Sequence, residues 1–99
     1  MYDLANLKKL AVLGDNAPKA MQAFEAFNTA VFGDGALSVK TKELIAVAIA
    51  IAVQCPYCIE VHKKNAVKAG ATERELSEAT FVAAAIGAGA AVTHGTHAL

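Results

Sequence analysis

The residues able to do chemistry lie close together. Cys55-Pro56-Tyr57-Cys58 holds both cysteines, and His62, one of three histidines, follows four residues later. On an α-helix, steps of three and four return to the same face. At about 100° per residue, Cys55, Cys58 and His62 fall within roughly 60° of one another. Two thiols and an imidazole therefore share one stripe. Pro56 suits the first helical position, where its fixed φ fits and its missing N–H is not needed. Cys55 then sits near the N-cap and Cys58 in the first turn, where the helix dipole favours a thiolate. A proton acceptor one turn after a thiol is what a reactive cysteine requires. These residues leave the nucleophile open: Cys55 is nearer the helix N-terminus, whereas Cys58 has His62 one turn on.

The same residues permit a second chemistry. Two cysteines and a histidine are ligand types for zinc, but a structural zinc site usually takes four ligands. The spare candidates lie in the C-terminal tail or on another chain. A non-catalytic oligomeric or partner protein is a third reading.

A long apolar helix has to lead into this stripe. Ser38 is a plausible cap for a helix running to about Gln54. Its second half, Leu44 to Val53, is apolar on every side and is expected at the buried centre of the fold. Its β-branched residues would allow a strand, but alanines at 46, 48, 50 and 52 and the absence of turns favour helix. The CxxC helix runs to about Ala69, with Gly70 as its stop. Upstream, Asp3 caps a helix of about ten residues, ended by Gly14-Asp15-Asn16. Pro18 opens a second helix with Met21, Phe24, Phe27 and Val31 on one face, and Gly33-Asp34-Gly35 breaks it. Downstream, Thr72-Glu73-Arg74-Glu75 reads as a capping box for a last long helix. Ala79, Ala83, Gly87 and Ala90 form a stripe of small side chains on it, suited to close approach of another helix. The end, residues 94–99, is expected to fray, with His94 and His97 as spectators. The chain reads as all-α, about five helices in one domain over 1–99.

Composition narrows the function classes. Nine basic and nine acidic side chains cancel, so no charge signature points to nucleic acid or an anionic membrane. The ten-residue run Leu44 to Val53 is about half a bilayer, and no window is expected to reach a membrane span. Met1-Tyr2-Asp3-Leu4 lacks the basic start and apolar core of a signal peptide, so a cytoplasmic location is expected. A CxxC in that setting suggests redox or metal chemistry, not a structural staple. The hydrophobic share is 56%, and so small a chain leaves much surface exposed. Burial between subunits follows as an expectation.

Glu43, twelve residues before Cys55, completes a pattern. Glu43-x11-Cys55-x2-Cys58-x3-His62 resembles the AhpD-like alkylhydroperoxidase core of the carboxymuconolactone decarboxylase superfamily. The likeness runs from about Phe32 to His94. It includes Gly35-Ala36-Leu37-Ser38, Lys42-Glu43-Leu44-Ile45 and Gly70-Ala71-Thr72. The chain is most similar to short, one-domain, peroxidase-like members associated with arsenosugar biosynthesis.

The resemblance implies an all-helical, oligomeric protein, trimeric or hexameric. It implies that Cys58 attacks a hydroperoxide, that Cys55 resolves the sulfenic acid to a disulfide, and that Glu43 and His62 relay protons. It implies a dithiol reductant such as a lipoyl protein or thioredoxin-like donor, and no cofactor or metal. The lyase branch of the superfamily generally lacks this cysteine pair, which argues against decarboxylase-type chemistry here. One departure stands out: Tyr57 occupies the place of a second relay histidine. A phenol with an unperturbed pKa near 10 donates a hydrogen bond but is a poor base at neutral pH. Tyr57 therefore reads as a packing residue more readily than as a relay member. Glu43 lies roughly 18 Å from Cys55 along a straight helix. If the next helix folds back antiparallel, Glu43 meets His62 before it meets a thiol.

Overall fold

A computed structural model describes residues 2–99. Among these residues the secondary structure is helical throughout, as expected. A 3₁₀ helix at Leu4–Lys9 leads into α1 (Leu10–Asn16), followed by α2 (Pro18–Phe32), α3 (Val39–Ala52), α4 (Pro56–Lys68) and α5 (Glu73–Gly95). The first helical stretch is thus tighter at its start than the sequence suggests. Its cap is the expected one: Asp3 accepts from the Ala5 amide at 3.0 Å.

The helix boundaries follow local chemistry. Ser38 caps α3 by accepting from the Thr41 amide at 3.1 Å. Thr72 and Glu75 form a reciprocal capping box at the start of α5, with bonds of 3.1 and 2.9 Å. Two helices end in the same hydrogen-bonded turn. At the end of α4 the Ala71 amide bonds Ala66 O and the Gly70 amide bonds Val67 O, with Gly70 at φ +101°. At the end of α3 the Cys55 amide bonds Ala50 O and the Gln54 amide bonds Ile51 O. Both are Schellman turns, which need a left-handed residue just past the helix. The second places Gln54 there, at φ 57°, where glycine is the ordinary choice.

α4 folds back along α3, and the first part of α5 packs on α3 as well. The buried stripe of α3 is Glu43, Val47 and Ala50, spaced by four and three as one helical face demands. Val47 meets Ala66 of α4, which is 0% exposed, and Ala71 of the following loop. Lys40 of α3 pairs with Glu75 of α5 at 2.8 Å. Lys42 donates to Val31 O and Gly33 O, tying the end of α2 to α3.

Three expectations are corrected. Leu44 to Val53 is not buried all round: Ile45, Ile49 and Val53 lie on an open face. Among the described residues, only α4 and α5 pack on α3 extensively, which leaves the Ile45–Ile49–Val53 side largely uncovered. Residues 94–99 do not fray; α5 runs to Gly95 and a 3₁₀ turn covers Thr96–Ala98, with the Thr96 hydroxyl donating to Thr93 O. Gly95 keeps a helical backbone at φ −58°, so nothing breaks the helix there. Finally, Glu73–Ala98 is long and apolar enough, by length and composition alone, to cross a membrane. Alanine and glycine carry this stretch past the length of the Leu44–Val53 run.

The small-residue stripe is divided. Ala79 and Ala83 are half-buried on the side of α5 that meets α3. A Cβ added at Gly87 or Gly89 would meet nothing within 4 Å among the described residues, so no described helix approaches closely there.

Candidate active site

The site forms where the α3–α4 hairpin brings the buried stripe of α3 against the start of α4. Gln54 turns the chain after α3, Cys55 caps α4, and Pro56 occupies the first helical position. Cys55 Sγ accepts from the Cys58 amide at 3.2 Å. The two cysteines are joined in a disulfide, with Cα atoms 5.3 Å apart. Their i, i+3 spacing at a helix start makes that approach possible without disturbing the helix.

Glu43 and His62 meet, as hairpin geometry demands. Glu43 Oε2 lies 2.7 Å from His62 Nδ1. Glu43 is 4% exposed and sits within the buried face of α3. A buried carboxylate without a partner is strongly disfavoured, and His62 supplies that partner. An ionised carboxylate only accepts hydrogen bonds, so Nδ1 must carry the hydrogen. Nε2 is then the nitrogen free to take or hold a proton. Phe32, at the end of α2, stacks on the imidazole with ring centroids 5.0 Å apart and planes 21° from parallel. The ring is thus fixed by a hydrogen bond at its edge and an aromatic face.

Cys58 and His62 lie between two cavities. One, of about 480 Å³, is apolar and is walled by Val31, Leu37, Ile45, Ile49 and Val53, with Lys42 also lining it. The other, of about 680 Å³, is walled by Leu7, Leu10 and Phe24 and includes Glu43, Asn28 and Asn65. Phe32, Cys58 and His62 line both. Among the described residues, no group of three or more His, Cys, Asp or Glu side chains is gathered as a metal site.

Tyr57 is turned toward the N-terminal segment. Its hydroxyl oxygen accepts from the Asp3 amide and from Asn6 Nδ2, both at 3.2 Å. These donors, Asn6 first, favour the phenolate and hold its pKa below the usual 10.0. His94 and His97, at the C-terminal end of the chain, have ring centroids 5.9 Å apart with planes tilted by 54°.

Cys55, Cys58, His62 and Glu43 are therefore brought together. Phe32 escaped sequence reasoning, because a lone aromatic at a helix end has no spacing that ties it to an imidazole thirty residues on. Tyr2 and Asn6, which reach the CxxC loop from the N-terminus, were equally invisible.

Residues 18–99 match the Carboxymuconolactone decarboxylase family, and the chain belongs to that family. An uncharacterised protein of the cox locus of Paracoccus denitrificans is 46% identical over 102 residues, covering 100% of this chain and 92% of its own. Among solved structures, a carboxymuconolactone decarboxylase family protein from Legionella pneumophila is 40% identical with a TM-score of 0.79, covering 91% of this chain and 80% of that one. A protein from Methanobacterium thermoautotrophicum superposes with a TM-score of 0.82 at 38% identity, covering 88% and 95% respectively.

Proposed function

We propose that the protein is a thiol-dependent peroxidase, or disulfide oxidoreductase, working through a dithiol–disulfide cycle at Cys55 and Cys58. The observation that carries this reading is a cysteine pair joined at a helix start, with a carboxylate-held imidazole one turn on. The reduced Cys58 thiolate attacks the distal oxygen of a hydroperoxide. The O–O bond breaks, the alcohol leaves with a proton relayed by His62, and Cys58 becomes a sulfenic acid. Cys55 attacks that sulfur, water leaves and the disulfide forms. A dithiol donor, a lipoyl or thioredoxin-like protein, returns two electrons and two protons. Glu43 fixes His62 and stabilises the imidazolium formed in passing. The reducing cytoplasm supplies such donors and is the expected location.

The working form is a homo-oligomer, a trimer or hexamer. The Cα radius of gyration is 16.2 Å, whereas a 99-residue globule is expected near about 13 Å. Phe81, Ile86 and Val92 of α5 are 74%, 71% and 76% exposed. An uncovered face of that kind marks an interaction surface.

The test of the peroxidase reading is direct. Reduced protein is mixed with an organic hydroperoxide, and thiol loss and product mass are followed. Loss of two hydrogens per chain, reversed by a dithiol, is expected. Thiols that survive excess peroxide would refute the proposal.

A further inference from the structure

The N-terminal segment is bonded to both sides of Cys55. Tyr2 Oη donates to Gln54 O at 3.1 Å. On the other side, the Tyr57 hydroxyl accepts from the Asp3 amide and Asn6 Nδ2. The Tyr2 and Tyr57 rings pack edge to face with centroids 5.5 Å apart. These bonds join residues more than fifty apart in sequence, and residues 2–6 lie outside the stretch matched to the family. One of them falls on Gln54, in the turn that ends α3. Gln54 holds a left-handed conformation without being glycine, a state that persists when its surroundings impose it.

We infer that Tyr2 and Tyr57 are positioning residues: the N-terminal segment braces the Gln54–Tyr57 loop and thereby sets the thiol–disulfide equilibrium of Cys55 and Cys58. This rests on the redox reading above. With the brace in place, Cys55 is held where it meets Cys58, so the two thiols face each other at high effective concentration. With the brace released, the dithiol form gains conformations in which the sulfurs are apart, and the disulfide becomes easier to reduce. Contacts favouring one redox state shift the equilibrium by their difference between the two states.

The experiment equilibrates the full chain with mixtures of reduced and oxidised dithiothreitol, without oxygen. In this exchange, two electrons and two protons pass from dithiothreitol to the protein S–S bond. That bond opens to two thiols while the reagent closes to its cyclic disulfide. Acid quenching, alkylation and mass measurement give the reduced fraction. Tyr57→Phe and Tyr2→Phe each keep the ring and remove a hydroxyl. Each is expected to shift the equilibrium toward dithiol about fivefold, which is about 21 mV for a two-electron couple. The double variant should shift by less than the product of the two, because either change frees the same segment. Asn6→Ala removes one donor, leaves the CxxC loop sequence intact, and must move in the same direction; it serves if a tyrosine variant fails to fold.

A merely structural role would lower the melting temperatures of oxidised and reduced forms alike and leave the equilibrium unmoved. That result, or a shift toward disulfide, overturns the brace while the redox reading stands. A wild-type chain that forms no reversible disulfide ends both.

Discussion

Replacing Glu43 by Gln isolates the charge behind His62. The exchange keeps the shape and one acceptor oxygen, so the chain should still fold. The pair is 2.7 Å apart and well shielded, with the carboxylate side chain 5% and the imidazole 20% exposed. A hydrogen bond to a charged group under such shielding contributes about 1.5–3 kcal/mol. In the proposed relay, proton transfer from the Cys58 thiol to His62 would create the imidazolium that this bond stabilises. Losing it should slow the step by about 10- to 150-fold, at 1.36 kcal/mol per tenfold. The amide brings a further difficulty. Its NH₂ group donates to Nδ1 as readily as its oxygen accepts, which moves the ring hydrogen to Nε2 and removes the base. The assay is single-turnover loss of thiol reactivity, read by alkylation and mass, after mixing reduced protein with an organic hydroperoxide at neutral pH. Circular dichroism and urea unfolding run in parallel on the same samples. A Glu43→Gln chain that is folded and reacts as fast as wild type would refute the relay.

Four other outcomes are expected. Cys58→Ser should abolish both peroxide consumption and sulfenic-acid labelling, while Cys55→Ser should stall with a labelled Cys58; label on Cys55 at the wild-type rate would reverse the roles. Light scattering at micromolar concentration should give a multiple of the chain mass, and Ile86→Glu or Phe81→Glu on the open face of α5 should reduce it; a folded wild-type monomer would sink the oligomer. Thr72→Ala should cost about 1 kcal/mol by breaking the capping box, read as a lower urea midpoint. Glu75, on the other side of that box, adds a pH dependence. Lys40 first, then the Thr72 amide, hold its carboxyl below the usual 4.5. A depressed folded-state pKa means that its contribution is present above the ordinary carboxylate value and is lost as pH falls through the lower one. Glu75→Gln should therefore flatten part of the acid limb of the melting curve; an unchanged limb would count against the Lys40 pairing.

Much of the fold was legible because local signals agreed with one another. Asp3, Ser38 and Thr72 cap their helices as side-chain oxygens at helix starts do, and Gly70 ends α4 in the left-handed turn that glycine permits. The CxxC at the start of α4, with His62 one turn on, follows from helical periodicity, a property of the chain itself. What lies across the chain was legible only in part. Reach along two helices and a fold-back argument brought Glu43 near His62, but the Nδ1 contact depends on which face of each helix turns inward. Phe32 on the imidazole, Tyr2 on Gln54 and Asn6 on Tyr57 carry no periodic signal at all. Each joins elements whose relative placement is decided by packing. Burial of Leu44 to Val53 was overstated for a related reason. Composition says that a helix is apolar, but only the number of neighbours the chain provides decides how many of its faces are covered. Here α4 and α5 cover the Val47 side, and Ile45, Ile49 and Val53 remain open.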